Sequence, residues 1–305
     1  MDITLHLGAH RTASTSFQRY MQAAAPRLVA QGVGYWGPMR TRKGMFHGIL
    51  DTGTERRSAD RGAGRIALNL CRMQARGATH LIVSDENMIG TPRNNLRHTS
   101  LYPGIGARMA RFHAGFGGQI TRVVLQIRSL DMYWASLIAY AVPRGARVPS
   151  VMQLSAMAQG PRGWRDVITE LADALPGARI IVTPFERFAT RPDHVLGLMG
   201  DVTPPAPHTN IWVNRSPDLG QLRVALADRG SDVILPVGDG RWQPFAPPHV
   251  ALMRARHAAD LGWLRGGAAG LATYTEEPEP HTEARPEHLT RGHSHEFERG
   301  MAQAR

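Results

Sequence analysis

Lysine is almost absent from this chain of 305 residues. Lys43 is the only one among 36 lysines and arginines, set against 25 aspartates and glutamates for a formal charge of +11. The arginines are scattered. No helix shows a continuous basic stripe and no basic run is interleaved with aromatics, so nucleic acid is not an expected partner. The positive balance still favours an anionic small ligand. With abundant Ala and Gly, the arginine excess matches the bias of a GC-rich bacterial genome. Cysteine is as scarce: Cys71 stands alone, which excludes an intrachain disulfide and a cysteine-built zinc cluster. In the helix-like run Ile66 to Cys71 it is expected as a small buried residue, not a catalytic thiol. Long apolar runs are missing too. The longest, Met132 to Val142, is broken by Tyr133, Trp134, Ser136 and Tyr140, short of the ~20 residues that cross a bilayer. The first residues show no basic region leading into an apolar core and a cleavage site. A cytoplasmic protein without a membrane span is the expectation.

Hydrophobic residues make up 42% of the chain, enough for a sizeable core, and the length suits one large domain with an appendage. Ile3 to Leu7 reads as a strand that breaks at Gly8. Phe17, Tyr20, Met21, Ala24 and Leu28 then recur at helical spacing as far as Gln31. Further strands are expected at 32–36, 80–84, 123–127 and 179–183, and helices over 62–76, 102–116, 164–175 and 217–229. This alternation, with some strands almost continuously apolar, predicts a three-layer α/β fold whose parallel sheet is covered on both faces. Residues 37–60 read as a loop over the site and 142–161 as an inserted segment facing the substrate. The domain is expected to span 1–274. From 275 to 305 polar residues, Pro and Gly displace the apolar ones, the composition of a disordered tail. Its His281, His288, His293 and His295 are read as solvated rather than metal-bound.

A strand, a tight turn and a helix make an anion site by geometry, because the first N–H groups of the helix lack intrahelical partners and point outward with the positive end of the dipole. Gly8-Ala9-His10-Arg11-Thr12-Ala13-Ser14-Thr15-Ser16 adds four hydroxyls and one cation to those amides. It is not an ATP-type loop. The pattern G-x-x-x-x-G-K-[ST] laid on Gly8 needs glycine at Ala13 and lysine at Ser14, whereas the cation here is Arg11. The plain alternative is a Ser/Thr-capped helix with no ligand.

Arg11-Thr12-Ala13-Ser14-Thr15 resembles the Lys-x-Gly-Thr-Thr loop of sulfotransferases that use 3′-phosphoadenosine 5′-phosphosulfate (PAPS). Arg11 stands for the lysine, Ala13 for the glycine and Ser14 for a threonine. That family holds the 3′-phosphate with an arginine at a strand end and a serine eight residues later. Arg128 follows the strand Val123 to Ile127, and Ser136 lies eight residues on. The run Leu81 to Asn87 is similar to the family's strand ending in Ser-Ser-Glu, with Asp85 for the second serine.

The resemblance implies a P-loop NTPase-like sulfotransferase fold, PAPS as co-substrate and no metal. Gly8, His10, Arg11, Thr12, Ala13, Ser14, Thr15 and Ser16 would cradle the 5′ end, and Arg128 and Ser136 the 3′-phosphate. Arg215 would supply a late basic residue. Glu86 is the leading candidate for general base and His47 its competitor, since histidine as a residue type suits that role. The alternative for Glu86 is a carboxylate that caps the next turn or pairs with a nearby arginine. Arg11 would stabilise charge on the leaving phosphate but, unlike lysine, cannot give up its proton. The acceptor is expected to be a small molecule or a glycan. A P-loop kinase or NTPase, and a non-catalytic nucleotide- or anion-binding descendant, are the rival readings.

Overall fold

The computed structural model describes residues 1–50, 56–205 and 213–276; the tail histidines lie outside them. Strand β1 (Asp2–His6) leads through a loop to helix α1 (Ser14–Ala30) and β2 (Val33–Trp36). The short α2 (Pro38–Arg40) runs into an irregular turn, Thr41–Met45, before α3 (Arg56–Gln74) and β3 (His80–Ser84). Next come α4 (Pro92–His98), α5 (Ile105–Gly115), β4 (Ile120–Ile127), α6 (Leu130–Ala141), α7 (Val151–Gln159) and α8 (Trp164–Ala174). The chain then forms β5 (Arg179–Pro184), α9 (Phe185–Phe188), α10 (Pro192–Gly197), α11 (Leu219–Ala227), α12 (Pro247–Arg265) and β6 (Thr273–Tyr274).

Among the described residues the strands form one sheet, all parallel, in the order β2-β3-β1-β4-β5-β6. Alternate residues of each strand face opposite layers. Leu5, Val83, Leu125 and Val182 pack into one core with Ile66 of α3, Phe112 of α5 and Val167 of α8. Ile82, Val124 and Ile181 pack on the other face with Phe17, Tyr20 and Met21 of α1 and Leu196 of α10. From β1 the chain goes to β2 and β3 on one side, then crosses to β4 on the other. The crevice between the carboxyl ends of β1 and β4 is thus a switch point, where open α/β sheets bind ligands.

Three expectations are corrected. Cys71 is exposed: α3 buries Ile66 and Leu70, one helical turn apart, and the next residue is rotated ~100° away toward solvent. Segment 142–161 does not face the pocket described below; it forms α7, which buries Met157 and Ala158 and receives a hydrogen bond from α12, Arg256 Nη1 to the Ala158 carbonyl at 3.2 Å. Residues 37–60 hold α2, the turn at 41–45 and the start of α3 rather than one loop, although 51–55 lie outside the described residues. Strand β6 went unanticipated, since two residues show no periodicity. Order continues just past it: the Thr275 N–H donates to the Val182 carbonyl at 2.9 Å and Arg265 pairs with Glu276. No helix among the described residues is long and apolar enough to cross a membrane.

Candidate functional site

A cavity of about 630 Å³ opens at the carboxyl edge of the sheet. Four strand ends feed it: the loop after β1, Glu86 and Asn87 after β3, Arg128 after β4 and Phe185 after β5.

The loop is tightly built. Leu7 and Ala9 prolong the β1–β4 pairing, their N–H groups donating to the carbonyls of Val124 and Gln126 at 3.0 Å. Gly8 has φ +36°, and a Cβ there would lie 2.5 Å from Ser14 Oγ, so only glycine fits. Arg11 (φ 68°) and Ala13 (φ 64°) are also left-handed, a conformation that costs an L-residue ~1–2 kcal/mol. The strain at Ala13 falls where the resembling loop has glycine. Thr12 is wholly buried, its hydroxyl turned inward to the Ala9 carbonyl at 2.5 Å. Ser14, Thr15 and Ser16 open α1 and line the cavity.

Arg11, Arg128 and Ser136 come together. Arg128 Nη1 donates to the Arg11 carbonyl at 3.1 Å, and Arg11 Nε donates to Ser136 Oγ at 3.1 Å. Arg128 also lies over the Phe185 ring, 4.4 Å from its centroid, and Arg11 over Tyr140 at 4.7 Å. Among the described residues neither arginine forms an ion pair; their partners are carbonyls, hydroxyls and rings. Burial pushes both guanidiniums down to about 10, so both stay charged at neutral pH. Two buried polar atoms here have no partner, Ser14 Oγ and Arg128 Nε. Buried polar groups are nearly always bonded, so both are exceptions at the cavity.

A segment from far along the chain covers this half. Arg11 Nη2 donates to the Asn214 carbonyl at 2.7 Å and to Ser216 Oγ at 3.1 Å, while the Ser216 and Ser136 hydroxyls lie 2.6 Å apart. Asn214 Nδ2 donates to Thr15 Oγ1, and the Val213 N–H to Ser16 Oγ, each at 3.1 Å. Arg215 lies on the cavity wall within this segment.

The opposite wall is a carboxylate cluster. Asp85, 3% exposed, accepts from Arg42 Nη2 at 2.7 Å, from Thr41 Oγ1 at 2.6 Å and from the Asn87 N–H at 3.0 Å. Glu86 accepts from Arg42 Nη2 and from Gln18 Nε2, each at 2.9 Å. Burial alone would raise the Glu86 carboxyl, but the charge and hydrogen bond of Arg42, first among its neighbours, help hold it below its ordinary value. Glu86 is therefore ionised, with each oxygen engaged. Both turn capping, by Asp85, and pairing with an arginine, by Glu86, occur here.

Of the residues singled out in the sequence, His10, Arg11, Ala13, Ser14, Thr15, Ser16, Glu86, Arg128, Ser136 and Arg215 line the cavity. Gly8 and Thr12 shape the loop from beneath. His47 is exposed and does not line the cavity; its carbonyl accepts a bond from Arg65. Sequence reasoning missed Arg42, Gln18, Tyr140 and Ser216. Arg42 sat in a segment read as lying over the site, but nothing local ties it to Asp85. Comparison with protein-family models, with curated proteins and with solved structures finds no match to this chain.

Proposed function

We propose that this cavity binds PAPS and that the protein is a sulfotransferase of the P-loop-like fold, acting on an acceptor hydroxyl. One observation carries the reading: two arginines without a carboxylate partner among the described residues, the half-buried Arg11 and the buried Arg128, flank the left-handed loop and the first turn of α1. Such an arrangement has uncompensated positive charge in a desolvated site, where it attracts anions most strongly. The unpartnered Ser14 Oγ and Arg128 Nε fit a ligand rich in acceptor oxygens. The strand order β2-β3-β1-β4-β5, with the loop after the first strand at the switch point, agrees with it.

When bound, PAPS supplies a sulfuryl group on a phosphate leaving group. The loop amides, Arg11, Ser14 and Thr15 would hold that end, and Arg128 and Ser136 the 3′-phosphate. Arg11 would stabilise charge as it develops on the departing phosphate without moving a proton. Glu86, kept ionised by Arg42, would orient the acceptor hydroxyl and draw on its proton, and a polar acceptor such as a sugar suits a wall of Glu86, Asn87 and Arg42. Sulfur-35 transfer from labelled PAPS to panels of glycans, phenols and alcohols tests this. Label in at least one acceptor is the expected result.

A second reading, binding without turnover, is favoured by the engagement of both Glu86 oxygens. Tight bisphosphate binding with no transfer to any acceptor class would establish it.

A further inference from the structure

The wall beside the loop has a buried hydrogen-bond chain whose direction can be worked out atom by atom. It starts at a backbone amide. The Tyr102 N–H donates to Asn95 Oδ1 at 3.2 Å; an N–H can only donate, so that atom is the amide oxygen. Asn95 Nδ2 is then the donor to the Tyr133 hydroxyl at 2.7 Å. Tyr133 adjoins Tyr102, their ring centroids 6.1 Å apart. The Tyr102 oxygen also receives the His10 backbone N–H at 2.8 Å and lies 2.9 Å from His10 Nδ1. Asn95, Tyr102 and Tyr133 are all 0% exposed, and leaving the Tyr102 hydroxyl proton unused would cost ~1–3 kcal/mol. The Tyr102 oxygen already accepts the His10 backbone N–H, so among the described residues His10 Nδ1 is the acceptor left for the Tyr102 proton. Tyr102 donates to His10 Nδ1, which leaves the His10 proton on Nε2.

The chain ends at the cavity. His10 Nε2 is 3.1 Å from Asn87 Oδ1. With Nε2 protonated, Asn87 presents its carbonyl oxygen to His10 and its NH2 away from it. The Asn87 backbone is also pinned, its N–H to Asp85 Oδ1 at 3.0 Å and its carbonyl from Arg108 Nη2 at 2.8 Å. Asn87 lines the cavity, and among the described residues Nδ2 has no hydrogen-bond partner.

We propose that Asn87 Nδ2 is a fixed, uncharged donor to an oxygen of the group transferred at the loop, with His10 the positioning residue that aims it and Tyr102 the residue that sets the His10 tautomer. The inference rests on the reading of the loop as a PAPS site. His10 is a loop residue next to Arg11, so its ring ties the Asn87 amide to the place where the transferable group is held. Burial holds the His10 imidazole below its ordinary titration range; Glu86 and Asp85 oppose that shift, and Arg42 adds to it. The ring is therefore neutral at pH 7 and can keep one proton on one nitrogen. A donor without charge can bond a sulfuryl oxygen without pairing with the Glu86 carboxylate beside it.

Calorimetric titration of the wild type, Asn87→Ala and Asn87→Asp with two probes, PAPS and adenosine 3′,5′-bisphosphate, separates the possibilities. The bisphosphate lacks the transferable group. Its affinity is expected to stay within about twofold in Asn87→Ala, while PAPS affinity falls about tenfold, the scale of one hydrogen bond to a charged group, and further in Asn87→Asp. Equal effects on both probes, or none on PAPS, would overturn the donor role and leave the site reading intact. Failure of the bisphosphate to bind the wild type would instead overturn the site reading. Nitrogen-15 spectra of the imidazole supply an independent readout: His10 is expected as the Nε2–H form, becoming a tautomer mixture in Tyr102→Phe. An Nδ1–H form in the wild type would overturn the relay.

Discussion

The two walls of the cavity handle arginine in opposite ways. On the loop side, among the described residues, Arg11 and Arg128 have only neutral partners: two carbonyls, two hydroxyls and the rings of Tyr140 and Phe185. On the other side Arg42 lies between Asp85 and Glu86, one positive charge against two negative. The first wall has positive charge that no carboxylate among the described residues offsets; the second has consumed its own and retains a net carboxylate. A site that binds an anion against one wall and holds a neutral, polar hydroxyl against the other needs that asymmetry.

Substitutions can break the comparison. The largest expected effect is on anion affinity. Arg11→Ala is expected to weaken adenosine 3′,5′-bisphosphate binding about a hundredfold, as loss of more than one charged hydrogen bond would, whereas Arg42→Ala changes it less than about twofold. Competition titrations on both variants measure this, and similar losses would erase the distinction between the walls.

Acidification should undo the buried ground beneath the loop. Burial lowers His6 from 6.5 to about 4, against the opposing pull of Glu86. The unfolded chain thus takes up this proton first. The contribution is fully present above pH 6.5 and is lost as pH falls toward 4, roughly 3 kcal/mol in all. Denaturant midpoints across that window should fall less in His6→Gln than in the wild type.

On the carboxylate wall, Asp85→Ala strands Thr41 Oγ1 and the Asn87 N–H and releases Arg42. The expected loss is about 2 kcal/mol in chemical denaturation, below the figure for a fully buried pair because Arg42 is 43% exposed. The smallest effect is a gain. Ala13→Gly relieves a left-handed alanine at φ 64° and should stabilise the fold by about 1 kcal/mol; no gain would mean that the loop is not strained there.

What the sequence revealed, and what it hid, follows from range. The loop after β1, the strand end at Arg128 and the helix with Ser136 are local patterns, each legible from a few neighbours. Helical spacing was legible too, and applied to Ile66 and Leu70 it would have put Cys71 outside. The pairings that define the two walls have no such signature. Arg42 meets Asp85 across 43 residues, His10 meets Tyr102 across 92, and Arg11 meets Asn214 across 203. Their partners are chosen by how the sheet is wound, and hydrophobic periodicity does not encode that. Buried aromatics such as Tyr102 and Tyr133 read as core in sequence, and only the fold shows the Tyr102 hydroxyl meeting His10 and the Tyr133 hydroxyl meeting Asn95.

The central claim is that Arg11 and Arg128 are kept unpaired for a nucleotide anion. Isothermal titration with adenosine 3′,5′-bisphosphate, without added metal, addresses it most directly. The account predicts binding to the wild type at one site and its loss in Arg128→Ala. No binding to the wild type, or undiminished binding in Arg128→Ala, would contradict it.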